Sequence, residues 1–280
     1  MTAAALWQEQ LKSWAIPQNL LDAVPFSPYE WPADIWRRRA AVARASRFVS
    51  PTHRAIEGML PDRGRLLDIG AGAGRVSLPF ARRGCAVTAV EKNSSMATAM
   101  SEIADESRIV VKIVEGSWPE AAGEAGHADV AVAANVLYDV PDIGPFLEAM
   151  NDAARIGCVL ELTEAHPWMS LAPHYRALHG LERPTGPTAS DAVAVVVESL
   201  HIEPAFETWK RPAGLYFESW SEIEQHYGRR LVLPRERWPE IRPLLETDVT
   251  EREGKYWFGE ERRFATLSWT KADKAQAGAL

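Results

Sequence analysis

Between Arg65 and Thr163, short apolar runs rich in β-branched residues alternate with helix-like segments, and few folds accept that rhythm. "RLLDIG" (65–70), "AVTAVE" (86–91), "IVVKIVEG" (109–116), "DVAVAANV" (129–136) and "GCVLELT" (157–163) read as strands. The segments 74–83, 95–104 and 142–155 between them carry helical patterning. The runs are apolar almost throughout rather than at every second position, as burial on both faces demands. Strands spaced by helices in this way build a parallel sheet covered on both sides. Beyond Thr163 the rhythm loosens. Residues 188–200 predict a helix with Ser190 or Asp191 near its cap, and 203–210 and 262–270 predict two further strands.

The expected fold is therefore α/β, a doubly wound and mostly parallel seven-stranded sheet. Residues 51–213 would form its core and 262–270 its last strand. Residues 1–50 would form an N-terminal helical cap, and 214–261 a helical lid insertion whose two amphipathic stretches break at Pro234. Residues 271–280 read as a flexible tail. Ten of the eleven tryptophans fall outside 37–167, with Trp118 alone inside it, so the flanks are aromatic-rich around an aromatic-poor α/β nucleus. Such flanks suit an apolar wall around a ligand, and equally suit packing of appendages onto a core.

Within the nucleus, "LLDIGAGAGRVSLPFA" (66–81) ends an apolar run in an acid and then sets glycine at every second position. A strand ending at Ile69 and a helix beginning near Gly74 leave 70–74 as the turn. Gly70 permits a sharp exit with positive φ, and Gly72 lets a ligand touch bare backbone. The following helix would aim unpaired N–H groups at the ligand. Pro79 falls inside that predicted helix and calls for a kink or a later start. Dinucleotides favour G-x-G-x-x-G. Here Arg75 stands where the third glycine belongs, and the spacing is G-x-G-x-G with Asp68 two residues before it.

These residues resemble the class I (Rossmann-like) S-adenosylmethionine-dependent methyltransferases over about residues 60–165, and more weakly to 270. The resemblance implies that Asp68, Gly70, Ala71, Gly72 and Gly74 hold the methionine part of S-adenosylmethionine. An ammonium and a carboxylate on that ligand suit an aspartate and backbone N–H donors. The resemblance also implies that Glu91, closing "AVTAVE", clamps the ribose, an acid that a nicotinamide enzyme would use as well. In "EGSWPE" (115–120), Ser117 would meet the adenine amine and Trp118 would stack on the ring, although family members more often show an acid there. The stretch "ANVLYDVPDIGPFLEAM" (134–150) resembles the N-V-L-x-x-V of small-molecule methyltransferases, with Asn135 and Val136 beside the cofactor and Tyr138 facing the methyl group. The N-P-P-Y pattern for base and glutamine amino groups is absent, since Val136 and Leu137 occupy the proline positions.

Methyl transfer from a sulfonium needs alignment and exclusion of water, with a base useful for a hydroxyl or ammonium acceptor. The segment after the fifth strand offers Glu164, His166 and His174 as bases, with Trp168 and Tyr175 as walls. His166, His174 and His179 lack the i, i+4 spacing of zinc ligands, so no metal is expected. The stretch 36–48 carries five arginines and could cover the cofactor or clamp an acidic substrate, or else form a solvated helical face.

Composition narrows the partners. The net charge of −7 disfavours general nucleic-acid binding and leaves a small-molecule methyl acceptor as the expected partner. The sequence "MTAAALWQEQLK" lacks a basic region before its apolar stretch, and no apolar run approaches membrane-spanning length, so a cytoplasmic protein is expected. Cys85 and Cys158 are both expected as buried thiols. Oligomeric state stays open. The leading reading is O- or N-methylation of a small molecule; a nicotinamide oxidoreductase and a non-catalytic S-adenosylmethionine-binding protein are the alternatives.

Overall fold

A computed structural model describes residues 1–29, 35, 38, 49–212, 215–259 and 261–272. Apart from Arg38, the arginine-rich stretch 36–48 lies outside the described residues, as does 273–280 of the expected tail. Seven strands form one sheet: β1 (Arg65–Ile69), β2 (Ala86–Glu91), β3 (Val111–Glu115), β4 (Ala128–Ala134), β5 (Ala154–Thr163), β6 (Ala205–Pro212) and β10 (Glu261–Thr270). Their spatial order is β3-β2-β1-β4-β5-β10-β6, with β10 antiparallel to both of its neighbours and β1 to β5 parallel. The chain leaves β1 toward β2 on one side and returns to β4 on the other. Ligands of open α/β sheets bind at that reversal, outside the carboxyl ends of the strands.

Alternation along β1 and β4 explains how the two faces are filled. Leu66, Val130 and Val132 point to one side, against Ile56 of the helix Pro51–Met59 and Phe80 of the helix Leu78–Arg82. Leu67, Ile69, Ala131 and Ala133 point to the other, under the helices Ile143–Ala153 and Ala189–Leu200. The helix Ala3–Ser13 lies on this second layer; Trp7 is wholly buried there and its indole N–H donates to the Val140 carbonyl at 3.0 Å. The helix Ala189–Leu200 is capped by Thr188 in a capping box with Asp191, two to three residues earlier than the expected Ser190 or Asp191 cap.

Three expectations change. The helix after the glycine turn spans Leu78–Arg82 rather than 74–83, and Pro79 sits in its first turn, where its missing N–H costs nothing. The insertion before the last strand is not all helical. The helices Trp220–Arg230 and Ile241–Leu245 accompany a three-stranded antiparallel sheet of β7 (Tyr216–Phe217), β9 (Lys255–Phe258) and β8 (Val249–Arg252). Cys158 is buried, but Cys85 is only half-buried. The insertion has its own apolar core of Phe217, Ile223, Tyr227, Leu231 and Leu245. That core is joined by Ile16 and Val24 from the N-terminal segment and by Leu171 and Tyr175 from the segment after β5.

Candidate active site

At the carboxyl edge of β1, β2, β4 and β5 lies a cavity of about 2040 Å³. Its near wall is the turn after β1. Gly70, Gly72 and Gly74 all have positive φ, at 68°, 57° and 78°. Gly70 is fixed by packing as well, because a Cβ there would stand 2.4 Å from Val136 Cγ2. The turn's amides are mostly committed within the protein. Those of Gly70 and Ala71 donate to the Val90 carbonyl at 2.8 and 3.1 Å, and that of Gly74 to the Ala71 carbonyl. The Gly72 amide donates to Glu91 Oε2 at 2.8 Å. The expected fan of free donors from a helix starting at Gly74 is therefore replaced by a self-braced turn.

Glu91 holds that brace. Its other oxygen accepts from the Asn93 amide at 2.8 Å, and the residue stands on the cavity wall. A carboxylate has about four acceptor positions, so this one can brace the turn and still accept from a pair of ligand hydroxyls. Asp68 is placed differently from expectation. It lies 1% exposed beneath the turn rather than on the cavity wall, and its Oδ2 has no hydrogen-bond partner. Burial pushes its carboxyl up to about 6, against the opposing pull of Ser77 and Arg75.

The β4 end supplies the facing wall. Asn135 adopts a left-handed φ of 61°, which asparagine tolerates better than most residues, and this lays Val136 over Gly70. Asn135 lines the cavity, and its side-chain amide donates to Glu161 Oε1 at 2.9 Å. Glu161 is the residue that sequence reasoning missed. Its side chain is fully buried in β5, accepts from Thr52 at 2.8 Å, and is paired with Arg75 of the turn, with Arg211 3.6 Å away. The guanidinium charges hold its carboxyl below the ordinary range despite burial. Its signal in the sequence was an acid inside the apolar run "VLELT". After β3, Trp118 lines the cavity and donates to the Phe146 carbonyl at 3.2 Å, while Ser117 is exposed at its rim.

The expected catalytic residues divide. Tyr138, Glu164 and His166 line the cavity, and His174 does not. The Tyr138 hydroxyl donates to the Thr163 carbonyl at 2.7 Å, and burial pushes its pKa up to about 12. His166 stacks on Trp14, with ring centroids 3.8 Å apart, and its Nδ1 accepts from the Trp168 amide at 3.2 Å. Burial and the charge of Arg183 lower its pKa to about 3. An imidazole that accepts at Nδ1 and stays neutral carries its proton on Nε2, so it faces the cavity as a donor and not as a base. Glu164 is partly exposed, 3.5 Å from Arg263. Arg230, His226 and Arg262, none of them expected, also line the cavity. Among the described residues no cluster of three or more His, Cys, Asp or Glu could hold a metal, and no helix is long and apolar enough to cross a membrane.

Comparison with known proteins agrees with this geometry. Residues 36–187, more than half of the chain, match the methyltransferase domain family. Ubiquinone biosynthesis O-methyltransferases of Azorhizobium caulinodans and Rhodopseudomonas palustris are 35% identical over 88 residues and 31% identical over 109 residues, covering 31% and 39% of this chain. In these matches the chain spans only 35% and 43% of the length of the curated relatives. A solved structure of a candidate methyltransferase from Bacillus halodurans C-125 superposes with a TM-score of 0.53 at 13% identity, covering 80% of this chain and 99% of that one, which speaks to the fold. The self-braced glycine turn at the sheet's reversal and the family match lead to one conclusion: the chain belongs to the class I S-adenosylmethionine-dependent methyltransferases.

Proposed function

We propose that this protein methylates a small molecule, at oxygen or nitrogen, in the cavity above the sheet. The observation that carries the reading is the size of that cavity. Pockets for one drug-sized ligand run to roughly 300–1,000 Å³. This one is about 2040 Å³ and is lined in part by Leu215, Tyr227 and Phe258 of the insertion's core, which leaves room for an acceptor beside the cofactor. The O-methyltransferase description of the curated relatives favours oxygen.

The residues present suit the cofactor. A Cβ at Gly70 would collide with Val136, Gly72 presents bare backbone, and Asp68 Oδ2 is a buried acceptor still to be satisfied. Gly70, Ala71, Gly72 and Gly74 would hold the methionine part with Asp68 beneath them. Glu91 would take the ribose hydroxyls, Trp118 and Ser117 the adenine, and Val136 the near face. Bound S-adenosylmethionine supplies a methyl group already activated on sulfonium. Tyr138 and the Trp14–His166 stack would wall the reacting side and exclude water. With Tyr138 and His166 set as donors, alignment carries the larger share of the work, and an acceptor that arrives ionised needs no base.

Calorimetric titration with S-adenosylhomocysteine and, separately, NADH tests the reading. Micromolar S-adenosylhomocysteine binding that Gly72→Val abolishes is the expected result. NADH binding alone would overturn it.

A further inference from the structure

The far wall of the cavity is basic as well as aromatic. Strand β10 enters it at Glu261, and Glu261, Arg262 and Arg263 all line the cavity. Glu261 is paired with Lys210 at 2.8 Å, and Arg263 lies 3.5 Å from Glu164. Arg262 has no carboxylate partner among the described residues. Among the described residues its one hydrogen bond runs from Nη2 to the Pro167 carbonyl at 3.4 Å, the long end of the range. A guanidinium has five N–H donors, so most of this one's capacity is uncommitted. Arg262 is exposed by surface area, yet desolvation lowers its pKa, the combination expected of a side chain that stands in a deep cavity rather than on an outer surface.

Its surroundings reinforce the positive potential. Arg230 is buried on the same wall, donates to His226 Nε2 at 3.0 Å, and feels the charge of Arg262 as repulsion. Tyr227 and Phe258 pack with ring centroids 4.4 Å apart, and the Arg230 guanidinium lies 5.6 Å from the centroid of Trp168. Pro167, which receives the Arg262 bond, is next in the chain to His166. The cation is thereby tied to the wall on which transfer would occur.

We infer that this wall is an acceptor subsite for an oxyanion, with the guanidinium of Arg262 taking the carboxylate of an aromatic acid whose ring lies among Trp168, Tyr227 and Phe258. The inference rests on the small-molecule reading above and deepens it to a substrate class. The planar fork of arginine matches a carboxylate with two parallel N–H···O bonds, and lysine gives only a point charge.

The test is calorimetry on protein saturated with S-adenosylhomocysteine, using 4-hydroxybenzoate against 4-hydroxybenzamide and 4-hydroxyphenylacetate against its amide. 4-Hydroxyphenyl phosphate is the probe for a phosphate in place of a carboxylate. The acids are expected to bind and the amides to bind at least about tenfold more weakly, with Arg262→Gln removing that preference and Arg262→Lys restoring part of it. S-Adenosylhomocysteine affinity should be unchanged in both variants, which reports that they fold. Equal binding of acid and amide, survival of the preference in Arg262→Gln, or no binding by either member of each pair overturns the subsite. Tighter binding of the phosphate than of either carboxylate overturns the choice of carboxylate. Loss of S-adenosylhomocysteine binding by the unmodified protein would instead overturn the cofactor reading beneath it.

Discussion

The two walls of the cavity are made in different ways. The cofactor wall is backbone: three glycines with positive φ, amides tied to Val90 and Glu91, and one side chain, Val136, seated where a Cβ would clash. The acceptor wall is side chain: Trp14 and Tyr29 from the N-terminal segment, His166 and Trp168 from the segment after β5, Tyr227 and Arg230 from the insertion, and Arg262 from the last strand. A backbone-built wall resists substitution and can serve any reaction of the cofactor. A wall of side chains from four separate segments can change its substrate without disturbing the fold. Glu161 is the junction beneath the glycine turn, since it binds Arg75 of the turn, Asn135 at the β4 end and Thr52 of a covering helix, with Arg211 of β6 close by.

Breaking that junction should have the largest effect. Glu161→Ala strips the half-buried Arg75 guanidinium, the Thr52 hydroxyl and the Asn135 amide of their acceptor at once, at about 1–3 kcal/mol for each polar group left unpaired. Because its carboxyl is held below the ordinary range when folded, the stability it contributes is present at neutral pH and lost as pH falls through the carboxylate range. Urea unfolding at pH 7 should therefore show the full deficit and at pH 4 a smaller one. A deficit of equal size at both values would mean that the residue acts by packing alone.

Next in size is a cut confined to the cofactor wall. Gly70→Ala meets both the left-handed backbone, worth about 1–2 kcal/mol, and a Cβ 2.4 Å from Val136, where overpacking costs about 1–3 kcal/mol. S-Adenosylhomocysteine affinity should fall more than about tenfold. Adding Val136→Ala should return the packing part and leave the backbone part. Gly84, with φ of 89° and open space around its Cβ position, isolates the backbone term, and Gly84→Ala should cost only that. Equal losses at the two glycines would show that Val136 plays no part in shaping the turn.

This difference in construction decided what the sequence disclosed. Strand β2 is legible to the residue, because "AVTAVE" is closed by its own acid, and the glycine turn is legible because every part of it is within nine residues of chain. The helix starts at Leu78 rather than Gly74 because Pro79 belongs in a helix's first turn, a local signal that helical patterning masked. The small sheet of β7, β8 and β9 was read as helix, since its strands are two to four residues long and too short to show period-two alternation. The acceptor wall left no periodic mark at all. Arg262 and His166 are 96 positions apart in the chain, and only the antiparallel return of β10 beside β5 makes them neighbours.

Asp68 tests whether the cofactor wall holds a group at a cost to stability. Its folded pKa of about 6 lies above the ordinary value of 3.8, so the carboxylate destabilises the ligand-free fold above pH 6, and that cost fades as pH falls toward 4. Asp68→Asn should stabilise the ligand-free protein by about 1–3 kcal/mol at pH 8 and by less at pH 5. Weaker S-adenosylhomocysteine binding in the same variant would mark a carboxylate kept for the ligand. Stabilisation with unchanged affinity would remove Asp68 from the site.

The smallest effect is expected at His166, one of the three residues that the sequence offered as a base. Two observations oppose that role: Nδ1 already accepts the Trp168 amide, and burial with Arg183 nearby keeps the ring neutral down to about pH 3. A neutral ring with its proton on Nε2 can shape the acceptor wall or donate to it, and has no lone pair to offer there. His166→Phe keeps the stack on Trp14, so kcat should fall less than about tenfold, below the usual contribution of a general base. The kcat profile of the unmodified enzyme should show no inflection from this residue between pH 5 and 8. An inflection near pH 6.5 that disappears in His166→Phe, with a loss of a hundredfold or more, would return the base to the acceptor wall. It would then require the imidazole to leave the Trp168 amide when substrate binds, making the two walls unlike in motion as well as in construction.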